Sequence, residues 1–261
     1  MDLSKWFPTI PTGVDDTSLN LDRIRTLETI LDEKYSTEAL LLSIERLESR
    51  KNIVIHLEII NKENTKPLDV VAKMFVVDRF DLELRILQSS WEKSLLVPEL
   101  VEARDGVILM EYIAGEPLVD VLNRTFDQSL IDLLAEWYYN YHRAHDMIKG
   151  DPRLRNFIYN NSQIYGVDYE ESRPESWILD IAGTAASLLD THPINDLRKR
   201  KMCWALLDTY LDLIDERMTS DIKNEFIETM ADTLKETAIW RENDEIMSLS
   251  EKIRRNGIPL D

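Results

Sequence analysis

The sequence predicts an α+β fold of two lobes, a β-rich first half and a helical second half, with a cleft between them. Three observations carry that prediction. Runs of β-branched residues cluster before residue 113. Apolar side chains recur at helical spacing after it. Only seven glycines and nine prolines interrupt the 261 residues, leaving little room for flexible linkers. A chain of this length can bury a sizeable core, as one large domain or two small ones.

Residues 1–16, with Pro8, Pro11 and Gly13, read as an extended arm. Ser18 is placed to cap a helix to about Leu31, with Leu21, Ile24, Leu27 and Leu31 on one face, so residues 1–33 form an arm and helix. The span 34–113 is the β-rich lobe. Within it, 39–47 is apolar, 52–60 is strongly β-branched, 61–67 is a polar turn and 69–77 is a further strand. A short helix from Phe80 to about Gln88 follows, and then a strand over 107–112, ended by Ala114-Gly115-Glu116-Pro117.

Residues 114–261 form the helical lobe. Asp127 or Ser129 caps a helix through Leu130, Leu133, Leu134, Trp137, Tyr138 and Tyr141, an aromatic stripe whose spacing marks it as core. A helix over 176–189 and three more between Asn195 and Arg255 complete the chain.

The formal net charge of −18 argues against a nucleic-acid-binding surface, since phosphates would be repelled; a solvated acidic exterior is expected. Arg198, Lys199, Arg200 and Lys201 form a basic island that reads as one exposed helical turn. Cys203 is the only cysteine, which excludes an internal disulfide and Cys₂ or Cys₄ zinc sites; in Met-Cys-Trp-Ala-Leu-Leu it reads as a small buried apolar residue. No apolar run approaches the length of a membrane span, and Met-Asp-Leu-Ser-Lys-Trp is not a signal peptide, so a reducing cytoplasm is expected.

The chemistry concentrates in Lys149-Gly-Asp-Pro-Arg-Leu-Arg-Asn156 and in Ile164-Tyr-Gly-Val-Asp168, beyond a predicted hairpin. Asp151 and Asn156 are five positions apart and Asp168 follows twelve later. Phosphoryl transfer from a nucleotide requires such a set: one carboxylate to orient the attacking hydroxyl, an amide oxygen and a second carboxylate for Mg²⁺. Asp and Asn are also ordinary turn formers, so the flanking residues matter. Lys73 lies in the apolar strand Val-Val-Ala-Lys-Met-Phe and needs an anion unless it reaches solvent from an edge strand. Glu83 stands ten residues on, in a helical stretch. His142 and His145, three apart at a helix end, suit the helix dipole or a core hydrogen bond better than a metal.

The order strand-Lys73, helix-Glu83, Ile108-Leu-Met-Glu-Tyr-Ile-Ala-Gly115, Gly-Asp-(x)₄-Asn and Val-Asp168 resembles the protein-kinase-like superfamily, from about Ala39 to Pro193. The resemblance implies a bilobal fold in which Lys73, paired with Glu83, holds ATP phosphates. It makes Asp151 the catalytic base and Asn156 and Asp168 the ligands of Mg²⁺. Met110 would lie at the back of the adenine pocket, with the backbone of Glu111 and Ile113 bonding adenine. Arg153 would neutralise the transferred phosphoryl in place of the usual lysine. The acceptor would be a hydroxyl of a partner protein, of the chain itself, of a small molecule, or water.

The short interval between Asp168 and Asp180, without an Ala-Pro-Glu element, points to the atypical small kinases. Gly150-Asp151 and Asp180-Ile-Ala182 resemble the aminoglycoside- and lipopolysaccharide-kinase-like groups, while Thr191-His-Pro193 resembles the RIO-like kinase of the KEOPS complex. Two departures stand out. Glu48-Ser-Arg-Lys-Asn52 holds no glycine where a phosphate-cradling loop belongs, leaving Arg50 and Lys51 to supply charge. Tyr169-Glu170 replaces Phe-Gly after Asp168. These departures motivate an alternative: a kinase-like scaffold or regulatory binding module with weak chemistry.

Overall fold

Alternation along β2 (Ile53–Ile60) puts Ile53, Ile55, Leu57 and Ile59 on one face, and in the computed structural model all four are buried. The structure describes residues 3, 6, 7, 18–36, 38–49, 51–61 and 66–260. They divide into two units, Met1–Gln88 with Pro98–Ile113 and Ser89–Val97 with Ala114–Asp261. A β-sheet unit followed by a helical unit is the α+β arrangement expected.

The first unit is built on a five-stranded antiparallel sheet: β1 (Leu40–Arg46), β2, β3 (Leu68–Met74), β4 (Leu100–Arg104) and β5 (Val107–Glu111), in the order β1-β2-β3-β5-β4. Helix α1 (Leu21–Tyr35) covers the β2 core face, its Ile24, Leu27, Ile30 and Leu31 joining Ile53, Leu57, Val70 and Leu109 in one apolar cluster. The cap is Asn20, not Ser18: its Oδ1 accepts the Asp22 N–H at 2.9 Å. Leu21 is 48% exposed, because the buried stripe runs 24-27-30-31 and leaves the first residue outside it. β4 escaped the sequence reading; it is short and half-buried along its whole length, so it shows no alternation. Helix α2 (Phe80–Glu92) is one turn longer than expected.

In the second unit a three-stranded sheet joins β6 (Glu116–Pro117), β7 (Phe157–Asn160) and β8 (Gln163–Gly166), so the hairpin expected around Asn160 is present. Helix α3 (Leu118–Thr125), also unpredicted, starts directly behind Pro117, which suits the entry to a helix. Helix α4 (Ser129–His145) has Asp127 at its start, accepting from Ser129 N at 2.9 Å, and buries Leu130, Leu134, Trp137, Tyr138 and Tyr141. Helix α5 (Ile178–Leu189) is buried along nearly its whole length, with α6 (Leu197–Leu213) and α7 (Ser220–Arg241) against it and α8 (Asp244–Asn256) packed on α7.

The basic island is not simply exposed. Lys199 is buried in the first turn of α6, its Nζ donating to Thr191 O at 2.7 Å. Cys203 is buried, and burial pushes its thiol up. Pro8, Pro11, Gly13, Arg50 and residues 62–65 of the polar turn lie outside the described residues. Among the described residues no helix is long and apolar enough to cross a membrane.

Candidate active site

In the first unit, strand alternation and register put Lys73 on the sheet face opposite the α1 core, with Val54, Val71, Ile108 and Met110 beside it. β3 is an interior strand, so Lys73 has no edge from which to reach solvent. It is 4% exposed, and Glu83, in the first turn of α2, is 1% exposed. Lys73 Nζ donates to Glu83 Oε2 at 2.6 Å. Two charges removed from water survive only as such a pair. Glu111 ends β5, its N–H donating to Glu99 O at 2.8 Å, and Ile113 follows two positions on. In the glycine-free β1–β2 connection Asn52 is buried, and its Oδ1 accepts the Val76 N–H at 2.9 Å. That residue ties the connection to the chain leaving β3, a structural use of the place where a glycine loop was sought.

In the second unit, residues 146–156 leave α4 and pass through a short 3₁₀ turn, Leu154–Asn156. Two glycines make this course possible. Gly150 has φ +81°, and a Cβ there would fall 2.1 Å from Glu171 O; a Cβ on Gly183 of α5 would fall 2.4 Å from Pro152 Cγ. Asp180, wholly buried in α5, accepts the N–H of Lys149 at 2.6 Å and of Gly150 at 2.9 Å, and His142 Nε2 lies 3.0 Å from it. His142 Nδ1 in turn meets Tyr210 Oη at 2.7 Å, so this histidine is a core hydrogen-bonder. His145 meets Ser90 Oγ at 2.9 Å, and burial lowers its pKa to about 4. Neither histidine faces a metal cluster among the described residues.

Asp151 and Arg153 form a two-pronged ion pair, Arg153 Nε to Asp151 Oδ1 at 2.7 Å and Nη2 to Oδ2. Burial alone would raise the Asp151 carboxyl. The Arg153 hydrogen bonds, the Lys149 and Arg153 charges and Asn156 outweigh it and bring it down to about 2. Asn156 is buried; its N–H donates to Arg153 O at 2.9 Å and its carbonyl accepts from Val167 N at 2.9 Å. Asp168 has φ +66°, in the left-handed region that Asp tolerates better than most residues with a Cβ.

Lys149, the first residue of the Gly-Asp motif's flank, is wholly buried. Its ammonium donates to Asp151 O at 3.1 Å and to Asp168 O at 2.8 Å. Glu170, two past Asp168, is buried with a carboxylate oxygen within 4.8 Å of one from Asp168. The sequence signal for both was present: a lysine and a glutamate each in the direct flank of an acidic motif.

No protein-family profile matches the chain. A probable serine/threonine-protein kinase BUD32 homolog of Archaeoglobus fulgidus is 28% identical over 119 residues, 46% of this chain; the chain spans just over half, 57%, of that relative. The fold is similar to ethanolamine kinase of Plasmodium vivax, with TM-score 0.61 at 10% identity over 89% of this chain and 88% of that one. It is similar also to a choline/ethanolamine kinase family protein of Mesorhizobium loti, with TM-score 0.59 at 11% identity over 88% and 94%. Amicoumacin kinase, solved with AMP-PNP and Ca²⁺, gives TM-score 0.59 at 11% identity over 90% and 97%. The chain has the fold of these solved small-molecule kinases.

Proposed function

We propose that the chain is a phosphotransferase that moves the γ-phosphoryl of ATP to a hydroxyl acceptor. The observation that carries this reading is the loop of the second unit that bears Asp151. Asp151 is kept ionised there, Asn156 stands five residues on, and one buried ammonium joins the main chain of Asp151 to that of Asp168. In this reading residues 34–113 serve the nucleotide and 114–261 the chemistry. Lys73, oriented by Glu83, holds phosphate oxygens, Met110 backs the adenine, and the main chain of Glu111 and Ile113 bonds its edge.

Asn156, Asp168 and the adjacent Glu170 offer only oxygen donors, a set suited to a hard divalent cation such as Mg²⁺. When bound, the ion supplies charge neutralisation on the phosphates. The acceptor oxygen forms a bond to the γ-phosphorus as the bond to the β–γ bridging oxygen breaks and ADP leaves. Asp151 accepts the acceptor's O–H hydrogen bond and aims it. With a pKa of about 2 it is an orienting group, and the proton passes to the product phosphate or solvent late in a loose transition state. Arg153, whose charge is felt by Asp151, Asp168 and Glu170, is placed to balance the moving phosphoryl.

The glycine-free β1–β2 connection and the occupied oxygens of Asp151 favour a second reading, a kinase-like binding module with little turnover. Incubation with γ-labelled ATP, alone and with cell extract, separates the two. Label on protein, metabolite or water supports transfer. A thermal shift with ATP that needs no MgCl₂ and survives Asp168→Ala, without label transfer, supports the module.

A further inference from the structure

The sheet face that bears Lys73 carries a second feature, which the phosphotransfer reading leaves unused. Direct partners on adjacent strands share a face, so Val54, Lys73 and Ile108 form one row there, and His56, Val71 and Met110 the next. His56 is thus a diagonal neighbour of Lys73, about 7–8 Å away by strand geometry. β3 separates β2 from β5, so His56 and Tyr112, the residue after β5, belong to segments that are not paired. Their rings meet over β3 all the same, stacked with centroids 3.9 Å apart and planes 15° from parallel. Asp69 of β3 fixes the imidazole, its Oδ1 accepting from His56 Nε2 at 2.7 Å.

The main chain at this point gains from such a hold. Glu111 is fixed by two bonds with Glu99: its N–H donates to Glu99 O at 2.8 Å, and its Oε2 accepts the Glu99 N–H at 3.2 Å. Beyond Glu111 the ladder ends, and the Tyr112 N–H reaches Asp69 O only at 3.4 Å. The ring of Tyr112 is therefore a principal tie between this residue and the sheet. Tyr112 stands between Glu111 and Ile113, the two residues whose main chain bonds the base in the proposed function.

We propose that His56 is a positioning residue for the nucleotide base. Locked by Asp69, its ring holds Tyr112, and through it the main chain of Glu111 and Ile113, in the course that meets the base edge. This role rests on the nucleotide reading of the Lys73 face and deepens it. In the test the whole chain is titrated calorimetrically with adenosine, which probes the base side alone, and with tripolyphosphate and MgCl₂, which probe the phosphate side alone. His56→Ala and Tyr112→Ala should each weaken adenosine about fivefold and leave tripolyphosphate as it was, and the double variant should be no weaker than either single one. His56→Phe and Tyr112→Phe keep two stacked rings and should recover most of the adenosine binding. A defect due only to the lost Asp69 bond would persist in His56→Phe.

The positioning role falls if the unaltered chain binds no adenosine, if His56→Ala binds it as tightly, if both probes weaken alike, or if the two alanine losses add in full. Adenosine binding that depends on His56 in a chain that transfers no label upholds the role and removes the phosphotransfer reading. Label transfer by a chain whose His56→Ala variant binds adenosine unchanged does the opposite.

Discussion

The carboxylate of Asp180 accepts two consecutive main-chain N–H groups, from Lys149 at 2.6 Å and Gly150 at 2.9 Å, just ahead of Asp151. A helix with no other charged residue thereby fixes the course of the loop that bears Asp151. Asp180→Ala leaves two main-chain donors, one buried and one half-buried, and His142 without that acceptor. Each orphaned donor costs about 1–3 kcal/mol, so a loss of about 3–5 kcal/mol is expected in urea denaturation, with a smaller loss for Asp180→Asn. A change of under about 1 kcal/mol would show that the loop holds itself.

The Lys73–Glu83 pair separates stability from function. Lys73→Met removes the cation 2.6 Å from a buried carboxylate and should cost about 3–5 kcal/mol, whereas Lys73→Met with Glu83→Leu should recover most of it. Neither variant should show an ATP-induced thermal shift. A double variant that is stable and still binds ATP normally would remove Lys73 from the nucleotide site.

Asp151 makes stability depend on pH in one direction. Its folded value of about 2 lies below the ordinary 3.8, so its contribution is whole above about pH 4 and is lost as pH falls toward 2. The shift corresponds to about 2 kcal/mol, which acid titration of folding should register and Asp151→Asn should flatten. The same low value means that turnover shows no acid limb from Asp151 between about pH 5 and 8. An acid limb in that range which moves to higher pH in Arg153→Ala would refute this account.

The sheet unit was legible where its residues alternate. β2 and β3 announced themselves through β-branched runs, and the face bearing Lys73 follows from the pairing of Lys73 with Val54 and Ile108. β4 and α3 were not legible, since neither a uniformly half-buried strand nor an eight-residue helix offers a period to read. At the site, residue order pointed to Asp151, Asn156 and Asp168. The supports of that loop depend on contacts across tens of positions, Asp180 to Lys149 and Thr184 Oγ1 to Pro152 O among them. Lys199 was misread for the same reason: charge predicts exposure until a distant carbonyl, that of Thr191, accepts it.

The buried ammonium of Lys149 works as a rivet between two segments, that of Asp151 and that of Asp168. Moving either segment outward takes a hydrogen bond from a charged donor in the dry interior, so the two are coupled.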